Sequence, residues 1–258
     1  MKVAVCVKQV PDTESDRKLS ADFTLDRAAA DGVLNELDEF AIEEALRIVE
    51  ANGGDVTIVT MGPERAAETV RKALSMGADS AIHIVDDALA GSDSVSTAKV
   101  LAKALEGKGF DLILFGSEST DARAGVVPGM VSELLGVAGL TMANAVTIDG
   151  ANVTIKRSTD AGVDTVTAAT PAVISCVWAM NEPRYPSFKG IMAAKKKPVE
   201  TLSLADLGLA ADEVGRPGAW SAVVNAAAKP AKAAGQKVED AGTGGVVIAD
   251  FLATNKLI

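Results

Sequence analysis

Residues 116–135, GSESTDARAGVVPGMVSELL, carry the densest set of groups able to hold a ligand. Ser117, Ser119 and Thr120 offer hydroxyls, and Arg123 offers a guanidinium. The run Gly125-Val126-Val127-Pro128-Gly129 then leads into helical spacing. Backbone N–H groups at a helix start have no partner inside the helix, so they suit an anion, and an arginine can add two parallel hydrogen bonds. The chemistry that fits is retention of a nucleotide phosphate; an ordinary capped strand-to-helix turn is the plainer alternative. Nothing in the segment pairs a nucleophile with a base, so no catalytic residue is expected.

A second segment, residues 181–197 (NEPRYPSFKGIMAAKKK), suits recognition of a macromolecule. It holds Tyr185, the single tyrosine, and Phe188 on a Pro-rich polar stretch expected to be a loop. Apolar side chains displayed on polar loops commonly anchor interfaces. Phe188 folding back on its own domain is the alternative. Lys195, Lys196 and Lys197 form a basic run in an acidic chain, either a solvated patch or a means of steering an acidic partner. No GxGxxG, GxxxxGK[ST], HExxH, CxxC or GxSxG pattern is present. His83 lies inside AIHIV and reads as a structural histidine, and Cys6 and Cys176 read as small buried hydrophobes within strands.

The elements that must position these segments follow from periodicity. Residues 3–7 (VAVCV), 55–61 (DVTIVTM), 81–85 (AIHIV) and 111–116 (DLILFG) are continuous β-prone runs of the kind buried on both faces. Helical spacing separates them over 37–49, from Gly62-Pro63 to Gly77, from a cap at Asp93 or Ser94 through Leu105, and over 128–135. Alternation of this kind predicts an α/β fold with a parallel sheet flanked by helices, which binds ligands beyond the carboxyl ends of its strands. After Met142 short β-like runs over 145–148, 153–157 and 164–168 predict an antiparallel hairpin, and Pro171 opens a strand over 172–177 that returns to the sheet. The expected division is a nucleotide-binding domain over 1–198 and a C-terminal segment over 199–258. From about Glu213 the latter becomes an Ala/Gly/Pro-rich extended arm ending in an amphipathic helix over 246–257. So little apolar content cannot fold alone; the arm docks on its own domain or on a partner subunit, and composition does not choose.

Composition narrows the function classes. The 258 residues are 48% hydrophobic, with mean hydropathy +0.22, enough for a full core. Thirty-five acids against 25 bases give a net charge of −10, which excludes a general nucleic-acid binder. One histidine excludes multi-histidine metal sites. Two widely spaced cysteines fit a reducing compartment, no run approaches a membrane span, and the N-terminal apolar stretch is too short for a signal peptide, so a cytoplasmic location without membrane insertion is expected. Aromatics are only 3% of the chain, which gives Tyr185 and Phe188 their weight.

Seven blocks in order carry a resemblance over nearly the whole chain: VKQVPD, NELDEFAIEEALR, TMGPE, RKALSMGAD, GSESTDARAG, KRSTDAGVDTVTAATPAVIS and NEPRYPSFKGIMAAKKKP. They resemble the β subunit of the electron-transfer flavoproteins, in its actinobacterial form. The resemblance implies an electron carrier, not an enzyme. It implies a heterodimer with an α subunit, one FAD held mainly by α with help from the β C-terminal tail, and one AMP in the β fold. It implies electrons taken from acyl-CoA and related dehydrogenases, as in fatty acid oxidation, and passed to a membrane-linked quinone oxidoreductase.

The family's AMP contacts map onto Cys6, Asn35, Glu36, Leu37, Asp38, Met61, Gly116, Thr120, Asp121, Ala122, Arg123, Ala124, Gly125, Val126, Val127, Pro128, Gly129, Met130 and Val131. Its partner-recognition segment maps onto Tyr185, Phe188, Ile191, Met192, Lys195, Lys196 and Lys197, with Phe188 where many relatives have Leu. Two departures bear on the ligand. Gly125-Val126-Val127 replaces polar residues of many relatives, leaving backbone N–H groups and Arg123 to hold the phosphate. Arg123 also stands where electron-bifurcating members, which place a second FAD in this pocket, typically have Asp. A bifurcating subunit and a stand-alone nucleotide-binding regulator are the alternatives.

Overall fold

Continuous β-branched runs become the centre of one sheet because they can be buried on both faces. In the computed structural model, which describes residues 1–227, 229–232, 234–235 and 237–258, these are β1 (Lys2–Cys6), β4 (Asp55–Met61), β5 (Ser80–Ile84) and β6 (Leu112–Gly116). With β7 (Ala138–Ala143), β11 (Ala172–Cys176) and β12 (Val199–Leu202) they form seven strands in the order β12-β5-β4-β1-β6-β11-β7. Every neighbouring pair is parallel. The α/β expectation therefore holds, and Pro171 does precede a strand that returns to the sheet.

Successive side chains of each strand enter opposite layers. Val3 and Val5 pack with α1 (Glu36–Asn52) and α2 (Ala67–Met76) in one buried cluster. Ala4 and Cys6 pack with α3 (Ser94–Leu105) and with Val131 of α4 (Val127–Leu135) in the other. Asp93 is the N-cap of α3, its carboxylate accepting from the Ser96 N–H at 3.0 Å.

The expected antiparallel portion is present and is built of three strands, β8 (Ala145–Asp149), β9 (Asn152–Thr159) and β10 (Gly162–Ala169), with β9 central. Strand β7 escaped the sequence reading because AGLTMA contains only a few β-favouring residues; its pairing with β11 makes it a strand. Two short strands, β2 (Gln9–Pro11) and β3 (Gly32–Leu34), pair antiparallel and close the excursion between them.

Two segments differ from expectation. Part of the predicted 181–197 loop is a helix, α5 (Phe188–Ala194), capped by Ser187, whose hydroxyl accepts from the Gly190 N–H at 3.0 Å. The predicted boundary at 198 gives way to one at Val224, because Val199–Leu202 pairs with β5 and Leu204, Leu209 and Val214 are buried in the α3-side core. The first unit is Met1–Val224 and the second Asn225–Ile258. The second contains α6 (Gly244–Thr254), near the predicted terminal helix, with Val246, Ile248 and Phe251 exposed. Three positions of the predicted arm, Ala228, Ala233 and Gln236, fall outside the described residues.

Candidate functional site

The strand order reverses between β1 and β6: the chain first builds outward through β4 and β5, then crosses to the other side of β1. Ligands of open parallel sheets sit beyond the carboxyl ends of the strands at such a reversal. Here the loops after β1 and β6 meet the N-terminus of α1. Lys8 Nζ donates to Asp121 at 2.8 Å and reaches Ser119 Oγ at 3.3 Å. Arg27 Nη2 donates to the other Asp121 oxygen at 2.7 Å, and Arg17 Nη1 donates to the Thr120 carbonyl at 2.8 Å. The excursion between β2 and β3 is thereby tied over the 117–124 loop. Burial opposes ionisation of Asp121, but the Lys8 ammonium and the Arg27 guanidinium outweigh it and hold the carboxyl well below the usual range.

Beneath that loop lies a buried pair. Asn35 Nδ2 donates to Asp38 Oδ1 at 2.9 Å and to the Glu118 carbonyl at 3.0 Å, and Asn35 Oδ1 accepts from the Thr120 N–H at 3.0 Å. Asp38 Oδ2 accepts from the Lys8 N–H at 2.8 Å. Burial pushes the Asp38 carboxyl up to about 7, against hydrogen bonds from Asn35 and Lys8 that favour its charged form. Gly116 allows this approach: a Cβ there would lie 2.5 Å from Asp38 Oδ1 and 2.7 Å from the Leu37 carbonyl carbon. The Thr120 hydroxyl is buried with no hydrogen-bond partner, an unspent polar group at the strand reversal.

The structure thus brings Cys6, Asn35, Leu37, Asp38, Gly116, Thr120 and Asp121 together at the strand ends, while Glu36, the first residue of α1, is exposed. Met61, at the end of β4, packs against the cluster that contains Cys6. Burial pushes the Cys6 thiol upward, keeping it neutral. Ala122, Arg123 and Ala124 lie on the exposed part of the loop. Val127, Pro128, Gly129, Met130 and Val131 begin α4, whose N-cap, Val126, supplies no side-chain acceptor to its first N–H groups. Gly125, Val126, Gly129 and Met130 also line an apolar cavity of about 600 Å³ with residues of α3 and β7. Arg123 is not aimed at the buried cluster: its side chain is 68% exposed and pairs with Glu118 at 3.2 Å. The cations tied to this loop are instead Lys8, Arg17 and Arg27, none of them within the 116–135 segment. Their only sequence signal was basic residues just after a buried strand and inside a polar excursion.

The 181–197 segment is fixed to α1. Arg184 Nε and Nη1 donate to Glu43 at 2.7 Å and Glu50 at 2.6 Å, and Asn181 Nδ2 donates to the Phe40 carbonyl at 3.0 Å. Tyr185 is 94% and Phe188 81% exposed, with Ile191 and Met192 beside them. Lys197 does not belong to a free basic patch: its ammonium caps the end of α2, donating to the carbonyls of Leu74 at 3.0 Å and Gly77 at 3.1 Å. Lys195 and Lys196 are exposed. His83 is buried, its Nε2 3.2 Å from the Gly62 carbonyl, and burial lowers its pKa. Among the described residues no group of three or more His, Cys, Asp or Glu is gathered for a metal, and no helix is long and apolar enough to cross a membrane.

Comparison with known proteins places this arrangement. Residues 22–207 match the electron transfer flavoprotein domain. Proteins named electron transfer flavoprotein subunit beta from Mycobacterium tuberculosis and Mycobacterium leprae are 53% and 51% identical, each match covering 99% of both chains. One from Thermoanaerobacterium thermosaccharolyticum is 36% identical over 92% of this chain and 91% of its own. The mycobacterial relatives are consistent with the actinobacterial type. With near-complete coverage at this identity, the chain belongs to the electron transfer flavoprotein beta subunit family.

Proposed function

We propose that this chain is the β half of a cytoplasmic heterodimer that carries electrons and has no catalytic site of its own. In this reading an α subunit holds most of one FAD, and the 225–258 segment docks on α. Electrons arrive from acyl-CoA and related dehydrogenases and leave to a membrane-linked quinone oxidoreductase. The full-length match to proteins named as this subunit carries the reading. The bound flavin supplies the redox chemistry; the residues here position nucleotide and partners.

The second nucleotide is a structural AMP at the β1–β6 reversal. The residues fit such a group. The buried Thr120 hydroxyl lacks a partner, the start of α4 presents N–H groups without a side-chain cap, and the Asn35–Asp38 pair fixes the backbone that carries Thr120. Lys8, Arg17 and Arg27 hold the covering loop in place, so retention of AMP rests on backbone groups and Thr120 more than on Arg123. Tyr185, Phe188, Ile191 and Met192 form the apolar contact for dehydrogenases, with Lys195 and Lys196 at its edge.

Denaturing the purified heterodimer and quantifying released nucleotides tests this reading. One FAD and one AMP per heterodimer are expected. Two FAD and no AMP would mean a bifurcating subunit, and a nucleotide-bearing chain that never pairs with α would mean a regulator.

A further inference from the structure

Residues 213–221 are stitched onto the start of α3. Val214 is fully buried, Lys99 Nζ meets Glu213 at 2.5 Å, and the Gly215 N–H donates to Ser92 Oγ at 2.9 Å. Ser96 Oγ donates to the Gly218 carbonyl at 2.9 Å. Asp93 completes the attachment. While one carboxylate oxygen caps α3, the other accepts from the Trp220 N–H at 2.8 Å, the Ser221 N–H at 3.0 Å and the Ser221 hydroxyl at 3.1 Å. A helix cap needs one of those oxygens; the second is spent entirely on fixing residues 220 and 221. Burial opposes the charge on Asp93, but these donors outweigh it and keep the carboxyl ionised.

The side chain held there faces solvent. Trp220 is 85% exposed, and Val223 and Val224 just beyond it are exposed too. A tryptophan left in water on a backbone fixed by two N–H groups and the neighbouring Ser221 hydroxyl is a poor use of a large apolar surface within one chain. It is an effective anchor for a second one, since the ordering entropy of its backbone is already met before contact. The remainder of the chain indicates its occupant. Residues 220–224 run directly into Asn225–Ile258, in which none of the described residues is buried, so that segment has no core of its own to order it. The relatives are named as a beta subunit.

We propose that Trp220, with Val223 and Val224, is a pre-set anchor that inserts into an apolar pocket of the α subunit, and that Asp93 is the positioning residue that presents it. This rests on the heterodimer reading above, and adds a contact lying ahead of the arm's helix. Because Trp220 is exposed in this chain, its loss is felt in association and not in folding.

The test uses full-length chains co-purified with α. Trp220→Ala is expected to weaken the heterodimer at least tenfold in sedimentation measurements, with the thermal midpoint of the isolated β chain unchanged. Asp93→Asn keeps a good helix cap but loses the acceptor for residues 220–221, and is expected to weaken association severalfold. Hydroxyl-radical footprinting should show Trp220 labelled in isolated β and protected in the heterodimer. Unchanged affinity of Trp220→Ala, or equal labelling in both states, overturns the proposal. So does protection that grows with the concentration of β alone, which would make a second copy the occupant. The double variant Ile248→Asp/Phe251→Asp separates the two levels. If it weakens association while Trp220→Ala does not, arm docking stands and the anchor fails. If Trp220→Ala alone weakens association, the anchor stands and docking of the arm helix fails.

Discussion

Replacing Asp38 by Asn should abolish a large part of the pH dependence of folding stability. Asp38 is buried where the β1 loop, the start of α1 and the end of β6 converge, and its carboxyl titrates near 7 in the folded chain against an ordinary value of 3.8. A carboxyl whose folded pKa is raised binds its proton more tightly in the native state. The stability it contributes is fully present below about pH 4 and is lost as the pH rises through 7. At about 1.4 kcal/mol for each tenfold difference in proton affinity, the whole effect is bounded at about 4 kcal/mol, of which about 2.5 kcal/mol falls between pH 5 and pH 8. Asn is isosteric and uncharged. It can accept from only one of the Asn35 amide and the Lys8 N–H, a loss of about 1 kcal/mol that is independent of pH in this range. The assay is urea unfolding of the full chain and of Asp38→Asn at pH 5 and pH 8. The variant should lie within about 1 kcal/mol of the parent at pH 5 and be clearly more stable than it at pH 8, and the difference between the two pH values isolates Asp38 from His83 and Glu44, which titrate in both proteins. Parallel stability profiles for the two proteins would refute the claim that ionised Asp38 is disfavoured in the fold.

Two further outcomes concern the recognition segment. Phe188→Ala should lower the rate of electron transfer from dehydrogenases while leaving FAD bound and the melting temperature within about a degree or two, because Phe188 is exposed. Flavin loss, or unchanged rates in stopped-flow reduction, would count against it. Gly190→Ala should destabilise by roughly 1–3 kcal/mol, since its Cβ would lie 2.4 Å from the Ser75 carbonyl oxygen where α5 meets α2. Chemical denaturation reads this directly, and a variant as stable as the parent would show that α5 is not seated on α2.

The recognition segment also shows where sequence reasoning ends. Its exposed Tyr185 and Phe188 were legible, because large apolar residues on a polar Pro-rich stretch have few other uses. The helix beginning at Phe188 was not: Pro186, Gly190 and the flanking prolines argue for loop, and only Ser187 capping and the close seat of Gly190 on α2 make seven residues helical. In the sequence Lys195, Lys196 and Lys197 are three equivalent cations. Which of the three finds the carbonyls at the end of α2 is decided by packing, not by composition.

The alternation of strand and helix periods was determined by the sequence alone, because a period of 2 or 3.6 is written in windows of a few residues and needs nothing distant. The parallel sheet, the buried cysteines, the structural histidine and the polar loop after β6 all followed from it. The strand order did not, and with it went the assembly of the site. Lys8 and Asp121 are 113 residues apart and Arg27 and Asp121 are 94, yet they meet because β6 crosses to the far side of β1. Arg123, just ahead of α4 and the local choice for a phosphate ligand, turns outward to Glu118, while three cations from the other loops are tied to the one it occupies. Local spacing identifies which groups can do chemistry. Only the long-range crossing of the chain decides which of them share a few ångströms of space.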